Sequence, residues 1–178
     1  SGSKGIIRKP FFRSTIRSKR CLVLADAFIE GTKEKKLKEP FLVYPRNKQR
    51  PFAMAGVWDE WTNKETGEII KGFAIITTRP NDLMNKIGHH RSPVVLSNGL
   101  HSRWLNPNTS LNDITSMLEP FNPNYWNAFK LDPLLMKSNT IEGLKAISET
   151  IYKEYTLEQG MIISKQGFGN RKRKKGEP

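Results

Sequence analysis

Cysteine and histidine are scarce in this sequence: one cysteine, Cys21, and three histidines in 178 residues. A single cysteine excludes an internal disulfide and any cysteine-based metal cage. No apolar run reaches the length of about 20 residues that a membrane-spanning helix needs. The first twenty residues are basic and interrupted by Pro10, which is not the pattern of a secretory leader. These absences lead us to expect a soluble protein, intracellular and cytoplasmic, with no membrane contact. They also lead us to expect no metal and no cofactor. The length fits one domain with a single sizeable core.

Acid is also missing, and only from the two ends. Residues 1–20 hold Lys4, Arg8, Lys9, Arg13, Arg17, Lys19 and Arg20 without one Asp or Glu, and the run Arg171 to Lys175 is wholly basic. Most of the formal net charge of +13 therefore sits at the ends, and the body is nearly neutral. Clusters of this kind neutralise phosphates and release counterions from nucleic acid. They serve equally well as a solvated segment and a tail that bind nothing, so charge alone leaves the partner open.

The opening Ser1-Gly2-Ser3 reads as a cut end outside the fold. A short basic helix is expected over Arg13 to Arg20, followed by a buried strand from Cys21 to Ala25 that runs on through Asp26 to Glu30. A lysine-rich loop is expected over Gly31 to Glu39, then a strand over Phe41 to Tyr44 ended by Pro45. Phe52 to Trp58 reads as a strand whose small residues let a neighbour approach closely. Asn63 to Gly67 is turn chemistry, and Phe73 to Thr78 reads as a buried strand closing a hairpin with Trp58. Asn81 is placed to cap a short helix through Leu83, Met84 and Ile87, and Pro93 to Leu96 returns as a strand. Helices are expected over Ser97 to Leu105 and Leu111 to Leu118, the second opened by Ser110 or Asn108. The stripe Ile141, Leu144, Ile147, Ile151, Tyr152 and Tyr155 has helical spacing. Short strands with hairpin connections followed by helices predict an α+β domain with a mainly antiparallel sheet. One domain is expected over residues 1–167, and a basic disordered tail over 168–178.

Three segments carry a resemblance. Arg20-Cys21-Leu22-Val23-Leu24-Ala25-Asp26-Ala27-Phe28-Ile29-Glu30 is similar to a strand of the form R-C-[LI]-x-x-A-D-G-[FW]-[FY]-E-W. Ala55 to Trp61 is similar to A-G-L-W-E-x-W. Ile75 to Thr78, then Leu83-Met84, then His89 to Leu96 is similar to I-x-T-T…L-M…I-H-x-R-M-P-V-[IL]-L. In this order and spacing they resemble the SOS-response-associated peptidase (SRAP) family over about residues 9 to 105. Further on, Asn127 to Asp132 stands where that family has a P-V-S strand. The resemblance implies a compact fold around a partly closed β-barrel with flanking short helices. It also implies a channel for single-stranded DNA, above all DNA with abasic sites, and a monomer that meets the nucleoid when it acts. In that family an N-terminal cysteine, exposed by removal of the initiator methionine, condenses through its amine and thiol with the abasic-site aldehyde. The product is a thiazolidine DNA–protein crosslink.

By the same resemblance Glu30 and His89 are the catalytic candidates. A carboxylate beside the aldehyde can shuttle protons during imine formation and ring closure, and an imidazole can exchange a proton as the 3′ phosphate departs. His90 stands next to His89, and Gly88 reads as a one-residue insertion before the motif, so the choice between the two histidines stays open. Arg91 matches a phosphate-gripping arginine, and Thr77 a hydroxyl lining the channel. Arg8 and Arg13 are the basic residues assigned to DNA. Trp58 and Trp61 can stack on bases, although Trp58, continuing an apolar strand, is expected in the core.

The departures from the family pattern are the M-C-G-R opening and an N-A-R-x-E segment, neither of which is found in the sequence, with Ser92 in place of Met and Gly31 in place of Trp. They read either as a truncation at the N-terminus, which the Ser1-Gly2-Ser3 start favours, or as a degenerate member of the family. Cys21 cannot stand in for the nucleophile: thiazolidine formation needs a free amine and a thiol on adjacent carbons, and an internal cysteine has its nitrogen in a peptide bond. It is expected as a small core residue. Two other functions remain open, a non-catalytic module that binds single strands and a nuclease built on His89 and His90.

Overall fold

The computed structural model describes residues 10–46 and 51–137. Arg8, the stripe from Ile141 to Tyr155 and the expected tail over 168–178 lie outside the described residues. The chain divides into two units at Lys130/Leu131. Of the second, the described part is a short 3-10 segment, Pro133–Lys137.

The first helix, α1 (Pro10–Ser18), starts with proline at a position where the missing N–H costs nothing. It begins earlier than expected and ends before Arg20, which opens β1 (Arg20–Ala25) instead. The strand expected to run unbroken from Cys21 to Glu30 is two strands in two sheets. Exposed Asp26 and half-buried Ala27 carry the chain from β1 to β2 (Phe28–Thr32). The break lets Phe28 turn into an aromatic cluster, with ring centroids 6.4 Å from Phe52, 6.3 Å from Phe121 and 5.9 Å from Trp126.

The Gly31 to Glu39 segment is a hairpin rather than a loop: β3 (Lys36–Pro45) starts inside the lysine-rich run and pairs antiparallel with β2. Its other edge pairs with β9 (Trp126–Lys130), where the weakly matched Asn127 segment lies. The other large sheet is built on β4 (Phe52–Thr62). One edge of β4 takes β1, from Arg20↔Val57 to Ala25↔Phe52. Its other edge is shared by β5 (Ile69–Ile75) along Gly56 to Thr62 and by β8 (Val95–Leu96) at Ala53 and Met54. Cys21 sits opposite Gly56, where an added Cβ would come within 2.9 Å of the Cys21 Sγ. That is the close approach the small residues predicted. A short pair, β6 (Thr77–Thr78) with β7 (Ser92–Pro93), completes the strands.

Among the described residues the sheets do not close into a full barrel, so the fold is α+β with mainly antiparallel, partly closed sheets. Helices are short: α2 (Asp82–Lys86), α3 (His101–Leu105) and α4 (Leu111–Ser116). Asn81 caps α2 as its position predicted, and its amide also donates to the Phe121 carbonyl at 2.8 Å. Ser110, not Asn108, caps α4. No described helix is long and apolar enough to cross a membrane.

Two cores result. One gathers Ile16, Val57, Ile76, Val94, Trp104 and Leu118, and the other Val43, Phe52, Met54, Met84, Phe121 and Trp126. Three expectations of burial fail. Past Arg20, β1 is only partly buried, with Cys21 half-buried and Leu24 63% exposed. The strand over Phe73 to Thr78 is not buried; β5 is exposed along its whole length, and only Ile76 and Thr78 beyond it are buried. Trp58 is not in the core either, being 37% exposed. The reason for these last two is in the register: β1 stops pairing at Val57, so the β4–β5 hairpin projects past the third strand that would give it a packed face.

Arg20 is likewise not available to a phosphate. Its guanidinium donates to the carbonyls of Ile16 (2.8 Å), Arg17 (2.6 Å), Trp104 (2.5 Å) and Asn106 (2.5 Å) and lies over the Trp104 ring. It joins the end of α1 to the end of α3. A charge that sequence alone assigns to the basic N-terminal cluster is therefore a structural tie.

Candidate functional site

The site is assembled by the β2–β3 hairpin and the loop from α2 to β7. Along β2, side chains alternate between faces, so Glu30 shares its face with Phe28. Phe28 is fixed in the aromatic cluster, which brings Glu30 to the rim of the second core, half-buried. Burial raises the Glu30 carboxyl above its ordinary value, and the neighbouring His89 opposes that rise.

After Glu30 the pairing slips. Gly31 is opposite Pro40, but Thr32 is opposite Lys36, which marks a bulge. A Cβ at Gly31 would overlap the carbonyl carbon and oxygen of Lys36, so the bulge admits only glycine. Lys36 itself takes the left-handed conformation, φ 51°.

On the other side, α2 ends in a glycine-based cap. Gly88, φ 77°, donates to the Asn85 carbonyl at 2.9 Å, and the His89 N–H donates to the Met84 carbonyl at 2.9 Å. This is the paired bonding of a Schellman cap. Gly88, which reads as an insertion in the sequence, is thus the residue that turns the chain and places His89. The loop is tied to the hairpin by the Lys33 N–H, which donates to the Gly88 carbonyl at 2.8 Å.

His89 meets Glu30 and not His90. Its Nε2 is 3.5 Å from the Glu30 Oε2, and its Nδ1 is 2.7 Å from the Gly31 carbonyl oxygen. The His90 ring is exposed, 5.0 Å from that of His89. It is held below the usual imidazole value by lost hydration first, then by positive charge on His89, Lys33 and Arg91. Arg91 is exposed and donates to the Thr77 carbonyl at 3.3 Å, joining the loop to β6. Two pairs result, a half-buried carboxyl–imidazole pair of Glu30 and His89 and, two residues along the same loop, Arg91 bonded to the Thr77 main-chain carbonyl. Arg13 lies on α1 and its side chain is not described; Arg8 is outside the described residues. Among the described residues no three His, Cys, Asp or Glu side chains converge as metal ligands would.

Sequence reasoning missed two contributors, the Gly31 carbonyl and the Lys33 amide. Both are main-chain groups, and the one signal for them was a glycine following a strand-end glutamate just before a lysine-rich turn.

The family model for SOS response associated peptidases (SRAP) matches residues 3–138, a stretch that contains every described element. This chain belongs to the SRAP family. Among its relatives, the Bacillus subtilis protein named abasic site processing protein YoqW is 36% identical over 142 residues, covering 78% of this chain and 62% of that protein. The Xenopus tropicalis abasic site processing protein HMCES is 33% identical over 99 residues, 47% of this chain and 29% of its own length. A crystal structure of a Bacteroides thetaiotaomicron protein superposes with a TM-score of 0.70 at 34% identity, covering 77% of this chain and 60% of that one. A Bordetella bronchiseptica protein, at 23% identity and a TM-score of 0.61, shares the fold. The SRAP chain spans about three fifths of the length of YoqW.

Proposed function

We propose that this chain is the body of an abasic-site processing protein that binds single-stranded DNA, with Glu30 and His89 as its acid–base pair. The observation that carries the reading is the 3.5 Å approach of His89 Nε2 to a carboxyl whose protonated form is favoured by burial. Such a carboxyl keeps its proton to higher pH than a solvated one and can pass it to an imine nitrogen or receive one from it. In this reading Arg91, exposed on the loop that carries His89 and bonded to the Thr77 carbonyl, holds a phosphate flanking the abasic sugar. The names of the relatives agree with this substrate.

The nucleophile is not Cys21. Its nitrogen is a peptide nitrogen, its Sγ is packed where Gly56 gives it room, and burial raises its thiol away from the reactive thiolate. In this reading a longer form supplies a cysteine with a free amine, after removal of an initiator methionine. The 178-residue chain, incubated with single-stranded DNA carrying one abasic site, is expected to give no adduct that survives denaturation. A form extended so that it starts with a free N-terminal cysteine gives one, and Glu30→Gln in that form slows it by about 100-fold or more. Failure of the extended form to crosslink overturns the reading.

One observation favours a second function, reversible single-strand binding without chemistry: Trp58, Trp61 and Phe73 are exposed on one hairpin, as stacking platforms for bases are. Salt-sensitive binding with no covalent product from the extended form is its signature.

A further inference from the structure

We propose that Gly31 is a positioning residue: its main-chain carbonyl holds His89 as the Nδ1–H tautomer, which leaves Nε2 as the proton acceptor facing Glu30. The geometry needs no further assumption about the donor. A carbonyl oxygen only accepts, so at 2.7 Å the hydrogen must be on Nδ1. When the ring is neutral, its lone pair is then on Nε2, 3.5 Å from the Glu30 Oε2. Two acceptors facing each other repel, and one proton between them removes the conflict. Either the ring is protonated and the carboxylate ionised, or the ring is neutral and the carboxyl protonated. The pair can thus pass a single proton across the gap without a ring flip. The distance is long for a hydrogen bond, and a small movement of either side chain on substrate binding closes it.

Several features hold the carbonyl in place. The bulge presents it toward the loop, and the Lys36 main chain occupies the space that any other residue's Cβ would take. The Schellman cap fixes the His89 main chain, and the Lys33–Gly88 bond holds hairpin and loop together. The charged and titratable groups around the ring are Glu30 on β2, Lys33 on the turn, and His90 and Arg91 on its own loop. Lys33 and Arg91 have no acceptor for the Nδ1 proton, and the His90 ring centroid is 5.0 Å from that of His89, so the Gly31 carbonyl at 2.7 Å is the acceptor on that side.

The functional weight of the lock rests on the proposed acid–base role of Glu30 and His89; the lock itself does not. It is tested on the full 178-residue chain without DNA, by nitrogen-15 spectroscopy of the His89 ring at a pH high enough to make it neutral. The expected pattern is a protonated, pyrrole-type Nδ1 and an unprotonated, pyridine-type Nε2. A protonated Nε2, or the averaged signals of a freely exchanging ring, overturns the proposal. In Glu30→Gln the pattern is expected to persist, and a switch to Nε2–H there shows that a proton donated by the Glu30 carboxyl to Nε2, not the carbonyl, sets the tautomer, which overturns the proposal. In Gly31→Ala the pattern is expected to average toward that of a solvated ring, and a folded Gly31→Ala protein that keeps Nδ1–H also overturns it. Should that variant fail to fold, the first two measurements decide. Because no step involves DNA, a missing crosslink in the extended form leaves these results standing, and a wrong tautomer leaves the crosslinking reading standing.

Discussion

Glu30 is held at a cost to the fold, and the direction of that cost is fixed by its burial. Its carboxyl titrates above the ordinary value because the ionised form loses hydration at the core rim, an effect that outweighs the attraction of His89. In the unfolded chain the group has its ordinary value, so folding is favoured most when the carboxyl is protonated in both states. That contribution is full below the ordinary carboxylate range and is lost as pH rises through the raised value of the folded state. Glu30→Gln removes the charge and the cost together. Thermal unfolding should therefore show Glu30→Gln more stable than the parent at neutral pH, with the difference shrinking as pH falls below the carboxylate range. An unchanged or inverted difference at neutral pH contradicts the assignment. Arg20 presents the opposite case, a charge that stabilises because four carbonyls take its protons. Arg20→Ala leaves buried acceptors unmet and should cost about 3 kcal/mol in denaturant unfolding. It should not alter the salt dependence of the proposed DNA binding, which loss of a phosphate contact would. Glu30 and His89, named in the sequence from two recognisable segments, lie 3.5 Å apart in the structure. Arg20 was counted in a basic cluster open to phosphate or solvent, because nothing in a run of basic residues distinguishes the one that turns inward.

At the scale of elements, local chemistry was legible wherever a side chain acts on its own neighbourhood. Asn81 and Ser110 cap helices in the positions that their spacing marks, and Asn63 to Gly67 makes the β4–β5 turn, with the Asn63 side chain accepting from the Glu65 N–H. What was hidden is the division of Cys21 to Glu30 between two sheets, because the same apolar run satisfies either one long strand or two short ones. Its course is decided by the aromatic cluster around Phe28, whose other members come from distant parts of the chain. The hairpin after Gly31 was hidden for a related reason: lysines on β3 face solvent and leave no alternating pattern. Gly56 shows a pairing that was legible in kind. Since β1 and β4 approach closely there, Gly56→Ala forces a methyl to within 2.9 Å of the Cys21 Sγ and 3.0 Å of Val23. The expected cost is about 1–3 kcal/mol of stability. Adding Cys21→Ala removes the nearer neighbour and should recover part of it, and a double-mutant cycle measures the coupling. Strictly additive effects would mean that the two strands adjust independently.

Across the described part of the molecule, apolar surface is distributed unevenly. The two cores are closed, yet the β4–β5 hairpin carries Trp61 57% exposed, Ile70 48% and Phe73 66%, next to a groove of about 360 Å³ that Val57 and Trp58 also line. A patch of this kind is the usual mark of an interaction surface. A buried strand was expected here because Phe73 to Thr78 is apolar enough for one; the register denies it a third strand to pack on. The consequence is measurable without knowing what the patch binds. The chain should bind a hydrophobic dye in its folded state and associate with itself as concentration rises, against the monomer expected from sequence. Replacing Trp61 and Phe73 together by serine should abolish both effects with a change of less than about 1 kcal/mol in stability, since neither side chain contributes to a core. Self-association is read by sedimentation across a concentration series, and stability by denaturant unfolding of the same samples. If dye binding and association persist in the double variant, the hairpin is not their source. If the variant unfolds instead, Trp61 and Phe73 are packed in solution, and the exposed face described here is covered.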